Sequence, residues 1–274
     1  MTKRQLGPAT FVLLGVVVVA LAAAAVILSG NLNTDLNLHG RLSAPSAQAW
    51  LGSDQLGRPV LARVIAGAPW SLGVALAANG IALTIGVMLG LFAAEFRGAP
   101  RRIILQIINL TLSFPGLVAA MAAMAVLGQS ATAVILVLGL LAWPLFARVV
   151  YAEALSARER PYLIAARIGG VGRVTQLYRH ILPVLLPSLI AMIAFHFADM
   201  LIAASALSFI GVGAPLGSPA WGAMLAESRP YLFQAPWMLI GPALALATTV
   251  LLLNLCGDAL ARRLGGRRPT ALRK

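Results

Sequence analysis

Two titratable side chains, His196 and Asp199, stand inside a long apolar run, "AMIAFHFADMLIAASALSFIG". Three residues apart on a helix, they share a face. Such a pair could close on itself as a satisfied polar contact turned into a helix bundle. It could equally touch a polar cargo on its way through a membrane. A metal would need a third ligand nearby, and none is offered, so no metal site is expected. Ser205 and Ser208 follow on the same run. His196, Asp199, Ser205 and Ser208 together are the candidate lining of a translocation path.

A second stretch, "GGVGR" at 169–173, has the glycine content of a phosphate cradle. A P-loop also needs a lysine after its glycines to hold the nucleotide phosphates. The chain has two lysines, Lys3 and Lys274, one near each end. No nucleotide site is therefore expected, nor any catalytic residue or cofactor in this chain, and ATP chemistry would have to come from another chain. The lone Cys256 lies in an apolar run and has no second cysteine to pair with. It reads as a small packing residue.

These residues must be positioned by membrane-spanning helices. The chain has 274 residues, 60% of them hydrophobic, and a mean hydropathy of +0.89, against roughly 45–50% apolar residues in a soluble domain. The excess sits in blocks near the roughly 20 residues that cross a bilayer. Six spans are expected, at about 8–29, 70–94, 103–127, 132–150, 187–211 and 237–260. The fold class is all-α, a polytopic membrane protein. The run from Ala9 to Leu28 is longer than the apolar part of a secretory signal, about 7–15 residues, and is expected to be a retained helix.

The net charge of +13 follows orientation rather than nucleic acid, because the basic residues fall between apolar blocks. With the N-terminus inside, sixteen of the 21 lysines and arginines lie on inner segments. Arg41, Arg58, Arg63 and Arg229 are the four on outer segments, and Arg148 stands at a span end. Both termini and the 151–186 loop are then expected in the cytoplasm, with 30–69 and 213–236 outside. The second half of the 30–69 segment is amphipathic and is expected to lie along the membrane surface.

The 151–186 loop is the longest inner one. Pro161 suits the first turn of a helix, and Gly169 and Gly170 can supply the left-handed turn that ends one. The spacing predicts a short helix of about 12 Å between them, followed by a second helical stretch at 173–181 that runs up to Pro183. Isolated helices this short are marginal in water and persist by docking. Ile164, Ala165 and Ile168 offer an apolar face and Arg167 a polar rim. An ordinary positive-inside loop is the plainer alternative; a docking element for a cytoplasmic partner is the sharper one.

Here the sequence resembles a known family. "AARIGGVGRVTQLYRHILP" is similar to the "EAA" loop of bacterial ABC importer permeases: E-A-A, three residues, G, nine residues, I, any residue, L-P. Ala165, Ala166, Gly170, Leu182 and Pro183 match. Ile164 stands where the family has Glu, and His180 where it has Ile; Glu153 is too far upstream to serve. "LGSDQLGRPVLARVIAGAPWSL" resembles the "LGTDxxGRDxxSRxxxGxxxSL" stretch of the dipeptide/oligopeptide/nickel permeases, through Gly52, Asp54, Gly57, Arg58 and Arg63, with Pro59 in place of Asp. "ALSFIGVGAPLGSPAWGAMLAESRPYL" and "NLCGDALARRL" resemble two further stretches of the same permeases.

The resemblance implies a type I ABC importer permease with six transmembrane helices in the bacterial cytoplasmic (inner) membrane. It implies three units: 1–69, an N-terminal transmembrane helix with an extracytoplasmic segment; 70–260, the permease domain with its coupling loop; and 261–274, a basic cytoplasmic tail. It gives Ile164, Ala165, Ala166, Arg167, Ile168, Gly169 and Gly170 the role of coupling to an ATPase. The implied partners are a second permease forming a heterodimer, two cytoplasmic ATPases that bind ATP and Mg, an extracytoplasmic substrate-binding protein and the lipid bilayer. The implied cargo is di- or oligopeptide, with nickel or a metal chelate as the alternative. A self-contained secondary carrier is disfavoured by the sparse ionisable residues inside the spans, and a structural or assembly protein by the four ordered motifs.

Overall fold

In a computed structural model, residues 36–47, 49–215 and 217–265 are described. The expected first span at 8–29 and the tail beyond 265 lie outside the described residues. The regular structure of the described residues is helical, apart from an isolated antiparallel bridge between Ser53 and Pro59; turns and loops join the helices.

Helix α1, Val60–Glu95, is 36 residues long, about 54 Å against the roughly 30 Å of hydrocarbon. The span expected at 70–94 thus begins ten residues earlier, and residues 60–69 are its first turns rather than a segment lying along the surface. Pro69 falls inside it and removes one N–H without ending the helix. Arg63 and Val60 are buried there, so this outer extension is covered by protein.

The run expected as one span at 103–127 is two helices, α2 at Ala99–Ser113 and α3 at Gly116–Leu127, bent by 90°. Phe114 is extended (φ −93°, ψ 140°), as a residue before proline tends to be. Pro115 then has no N–H to continue the ladder. Continuous apolarity concealed this break.

Helix α4, Ala131–Arg158, starts on Ser130, whose hydroxyl accepts from the Ala133 N–H, an N-cap. Its extension past 150 makes the start of the inner loop helical. The short helices α5, Pro161–Ile168, and α6, Arg173–Gln176, follow. Leu177–Ile181 forms a π turn, with the Leu182 N–H reaching back to the Leu177 carbonyl, and leads without interruption into α7, Leu182–Ile210. Pro183 therefore does not end the helical stretch; the widened register of the π turn takes up the proline. α8, Trp221–Ser228, occupies the loop expected at 213–236, and α9, Trp237–Gly265, completes the described chain.

α1 and α4 pack most closely. Ala78, Ala82, Gly86 and Gly90 repeat every fourth residue along α1, the small-residue pattern that lets membrane helices approach. A Cβ on Gly90 would stand 2.7 Å from the Ala147 carbonyl oxygen. In α4, 61% of the apolar window is buried inside the chain, whereas in α9 the share is 22%. α4 is the central helix, and most of the surface of α9 is left uncovered.

Candidate functional site

The end of the bundle where α1 finishes and α4 ends presents α5. Leu163 is buried and anchors it to the core. Ile164 and Ile168 point away, 47% and 83% exposed, and Tyr162 is exposed beside them. Ala165 is also exposed and Ala166 half-buried. The helix ends where Gly170 takes a φ of +78°. The Gly169 N–H donates to the Ala165 carbonyl at 2.9 Å as the last helical bond, and the Val171 N–H to the Ala166 carbonyl at 3.1 Å, the six-to-one bond of a Schellman end. Gln176, buried, donates its amide to the Val171 carbonyl at 2.8 Å and fixes the turn from behind.

Beside this turn, the end of α4 is tied to the end of α1. Arg158, at the last position of α4, donates to the Ala94 carbonyl at 2.8 Å and pairs with the Glu95 carboxylate. Glu95, Arg158, Gly170 and Gln176 line a cleft of about 540 Å³ between α1 and the turn. The acidic group missing at Ile164 is thus not replaced within α5. The Arg158–Glu95 pair of α4 and α1 stands across the cleft from it. Glu153 is engaged elsewhere, accepting from the Ser188 hydroxyl.

The four polar residues on α7 do not form one cluster. His196 is largely covered, its ring 4.6 Å from that of Phe146 on α4. Asp199 is 68% exposed at its side chain. Their closest nitrogen and oxygen are 3.9 Å apart, and His196 Nδ1 has no hydrogen-bond partner among the described residues. The pair therefore does not close on itself as a hydrogen bond. Ser205 is buried beneath α8, where a Cβ on Gly222 would stand 2.7 Å from its Cα. The Ser208 hydroxyl donates to the Ala204 carbonyl at 2.9 Å and accepts from the Ala214 N–H at 3.1 Å, holding the outer loop.

The opposite end of the bundle, where α1 begins, carries a buried ionic cluster that joins residues far apart in sequence. The Asp54 carboxylate, 1% exposed, accepts from the Leu56 and Arg58 N–H groups at 2.8 and 2.9 Å, from Arg58 Nε at 2.7 Å and from Arg63 Nη1 at 2.9 Å. Arg63 Nη1 also donates to Glu227 of α8 at 2.7 Å, and Gln55 reaches the same oxygen at 3.1 Å. Two tryptophans reinforce the join: the Trp221 indole N–H donates to the Val64 carbonyl at 2.8 Å and that of Trp237 to the Ser53 carbonyl at 3.2 Å. The motif spacing singled out Asp54, Arg58 and Arg63. Nothing local marked Glu227, whose role depends on the outer loop folding back.

A long apolar bundle thus carries a short exposed helix at one end and, at the other, a loop pinned to the first described span. Residues 86–268 match the family described as binding-protein-dependent transport system inner membrane component. The chain belongs to this family. It is a permease subunit of the binding-protein-dependent ABC importers.

Three relatives place the permease more closely. It is 37% identical over 216 residues to a glutathione transport system permease protein, GsiD, of Pectobacterium atrosepticum, covering 79% of this chain and 72% of the relative. It is 32% identical over 261 residues to a dipeptide transport system permease protein, DppC, of Alkalihalophilus pseudofirmus, covering 94% and 86%. It is 32% identical over 225 residues to a nickel transport system permease protein, NikC, of Escherichia coli K12, covering 82% and 81%. Among solved structures, the permease resembles a chain of the inward-facing MetNI methionine ABC transporter, with a TM-score of 0.62 at 19% identity, over 75% of this chain and 98% of that one. That likeness supports the type I permease fold.

Proposed function

We propose that this permease forms half of the route by which an ATP-driven importer moves small peptides across the cytoplasmic membrane. The observation that carries the coupling role is α5: a helix of eight residues, closed at Gly170, with Ile164 and Ile168 exposed and uncovered by the other described residues. Residues 164–170 dock on one of two ATPase subunits, which bind the ATP and Mg. A second permease completes the route, and an extracytoplasmic binding protein delivers cargo to the outer face. On α7, Asp199 faces the route, His196 stands behind it against Phe146, and Ser205 and Ser208 set the outer end.

Peptide is favoured by the likeness to DppC and GsiD. A second reading, nickel or a metal chelate, is favoured by the likeness to NikC. No group of three His, Cys, Asp or Glu side chains that could hold a metal stands among the described residues. In either reading, selection rests with the binding protein.

The complete complex, reconstituted in liposomes with partner permease, ATPases and binding protein, should take up di- or oligopeptide only with ATP. Asp199→Ala should lower that uptake more than it lowers assembly. Uptake driven by a proton gradient with this permease alone would instead establish a secondary carrier.

We also propose that both termini and the 151–186 segment are cytoplasmic. The charge distribution supports this, and two of the four outer arginines, Arg58 and Arg63, are matched there by Asp54 and Glu227. A single cysteine at position 173, with Cys256 replaced, should react with an impermeant thiol reagent from the cytoplasmic side alone. Reaction from the outside would reverse the orientation.

A further inference from the structure

Helix α2 carries Arg102, Gln106, Asn109 and Ser113. At 3.6 residues per turn these four fall within an arc of about 60°. All four are exposed. The opposite side holds Ile104 and Ile108, 9% and 1% exposed, packed against Trp143 and Ala147 of α4. The apolar face thus anchors the helix, and the polar stripe points away from the rest of the chain. A polar stripe turned to hydrocarbon is costly, so this one faces water or another protein.

The way the stripe ends favours water. It runs into the 90° break at Phe114–Pro115. There the last carbonyls of α2, from Leu110 to Ser113, lose their intrahelical donors. Residues 114–118 are exposed, and a Cβ on Gly116 would meet nothing within 4 Å. Non-helical backbone at membrane depth persists where protein covers it or where it borders a water-filled cavity. Stripe and break together form a continuous run of hydrogen-bonding groups.

We infer that this face of α2 lines the hydrated route itself, as polar rungs about 5–6 Å apart along the helix. The amides of Gln106 and Asn109 both donate and accept, as peptide groups do, and a guanidinium at Arg102 pairs with carboxylate. The stripe carries a cation and no carboxylate. It therefore suits a peptide-like cargo rather than a bare divalent cation. The inference rests on the importer reading above, and it adds α2 to a path otherwise placed on α7 alone.

Single cysteines at 104, 106, 108, 109 and 113, on a Cys256→Ser background, test it in the complete complex with an impermeant thiol reagent. Positions 106, 109 and 113 should react, with peptide cargo and ATP slowing them, while 104 and 108 stay silent. The double variant Gln106→Leu/Asn109→Leu should lower peptide uptake about tenfold, the size of one or two lost hydrogen bonds, with basal ATP hydrolysis unchanged. Suppose the unmodified complex imports peptide with ATP while 106, 109 and 113 stay as silent as 104 and 108, or crosslink to the second permease. The stripe is then an interface between permeases, and the importer reading stands. Reactive stripe positions in a complex that shows no ATP-driven uptake overturn the importer reading, and with it the peptide assignment.

Discussion

Gly170→Asp should leave the spans inserted and the permease pair formed, yet abolish the stimulation of ATP hydrolysis by loaded binding protein. Gly170 has a φ of +78°, and an added Cβ would meet nothing within 4 Å of its own chain. The permease itself therefore bears only the backbone strain, about 1–2 kcal/mol. That strain falls on the turn that closes α5, where the Val171 N–H is held by the Ala166 carbonyl. A loosened turn lets Ile164 and Ile168 move independently of the spans, and motion of the ATPase is no longer transmitted. Gly98→Asp is the control: its φ is +83°, with open space for a Cβ. It too strains a backbone with positive φ, but before α2 and away from the turn that closes α5. It should leave stimulated hydrolysis intact. Full cargo-stimulated hydrolysis and uptake in the Gly170→Asp complex would remove α5 and its turn from the coupling path.

The largest loss of stability is expected from Asp54→Ala. The carboxylate is 1% exposed and serves Arg58, Arg63 and two backbone N–H groups. Its removal leaves the Arg63 guanidinium buried with only Glu227 to balance it, and breaking a buried pair in this way costs about 3–5 kcal/mol. Arg63→Ala should come close to it, because it severs the link between the start of α1 and α8. Glu227→Gln should cost less, since Glu227 is 21% exposed and Arg63 keeps Asp54. Thermal unfolding of the purified complex in detergent measures the order. An unchanged midpoint for Asp54→Ala would reduce the cluster to an incidental surface contact.

Much of this was legible in residue order. Pro161 and Gly170 bracket a short helix because proline at the first turn and a glycine with positive φ at the end are local signals. The spans centred on α4, α7 and α9 follow from apolar length alone. Family membership followed from motifs that are short and contiguous. Boundaries were less legible: apolar length ran across Pro115 and hid the break between α2 and α3, and the span expected from 70 begins at Val60.

Sequence by itself determined which segments are helices in a membrane, because hydrophobic length and turn residues act on near neighbours. The tertiary structure alone decided which side of each helix meets protein. Asp54 and Glu227 are 173 positions apart, and only the return of α8 onto α1 brings them to one arginine. His196 and Asp199 lie on adjoining turns, yet Phe146 of α4 covers one and leaves the other exposed. Gln106 and Asn109 gained significance once Ile104 and Ile108 were seen to fix the rotation of α2. Periodicity sets the angles between side chains on one helix; the packing of one helix against another sets where those angles point.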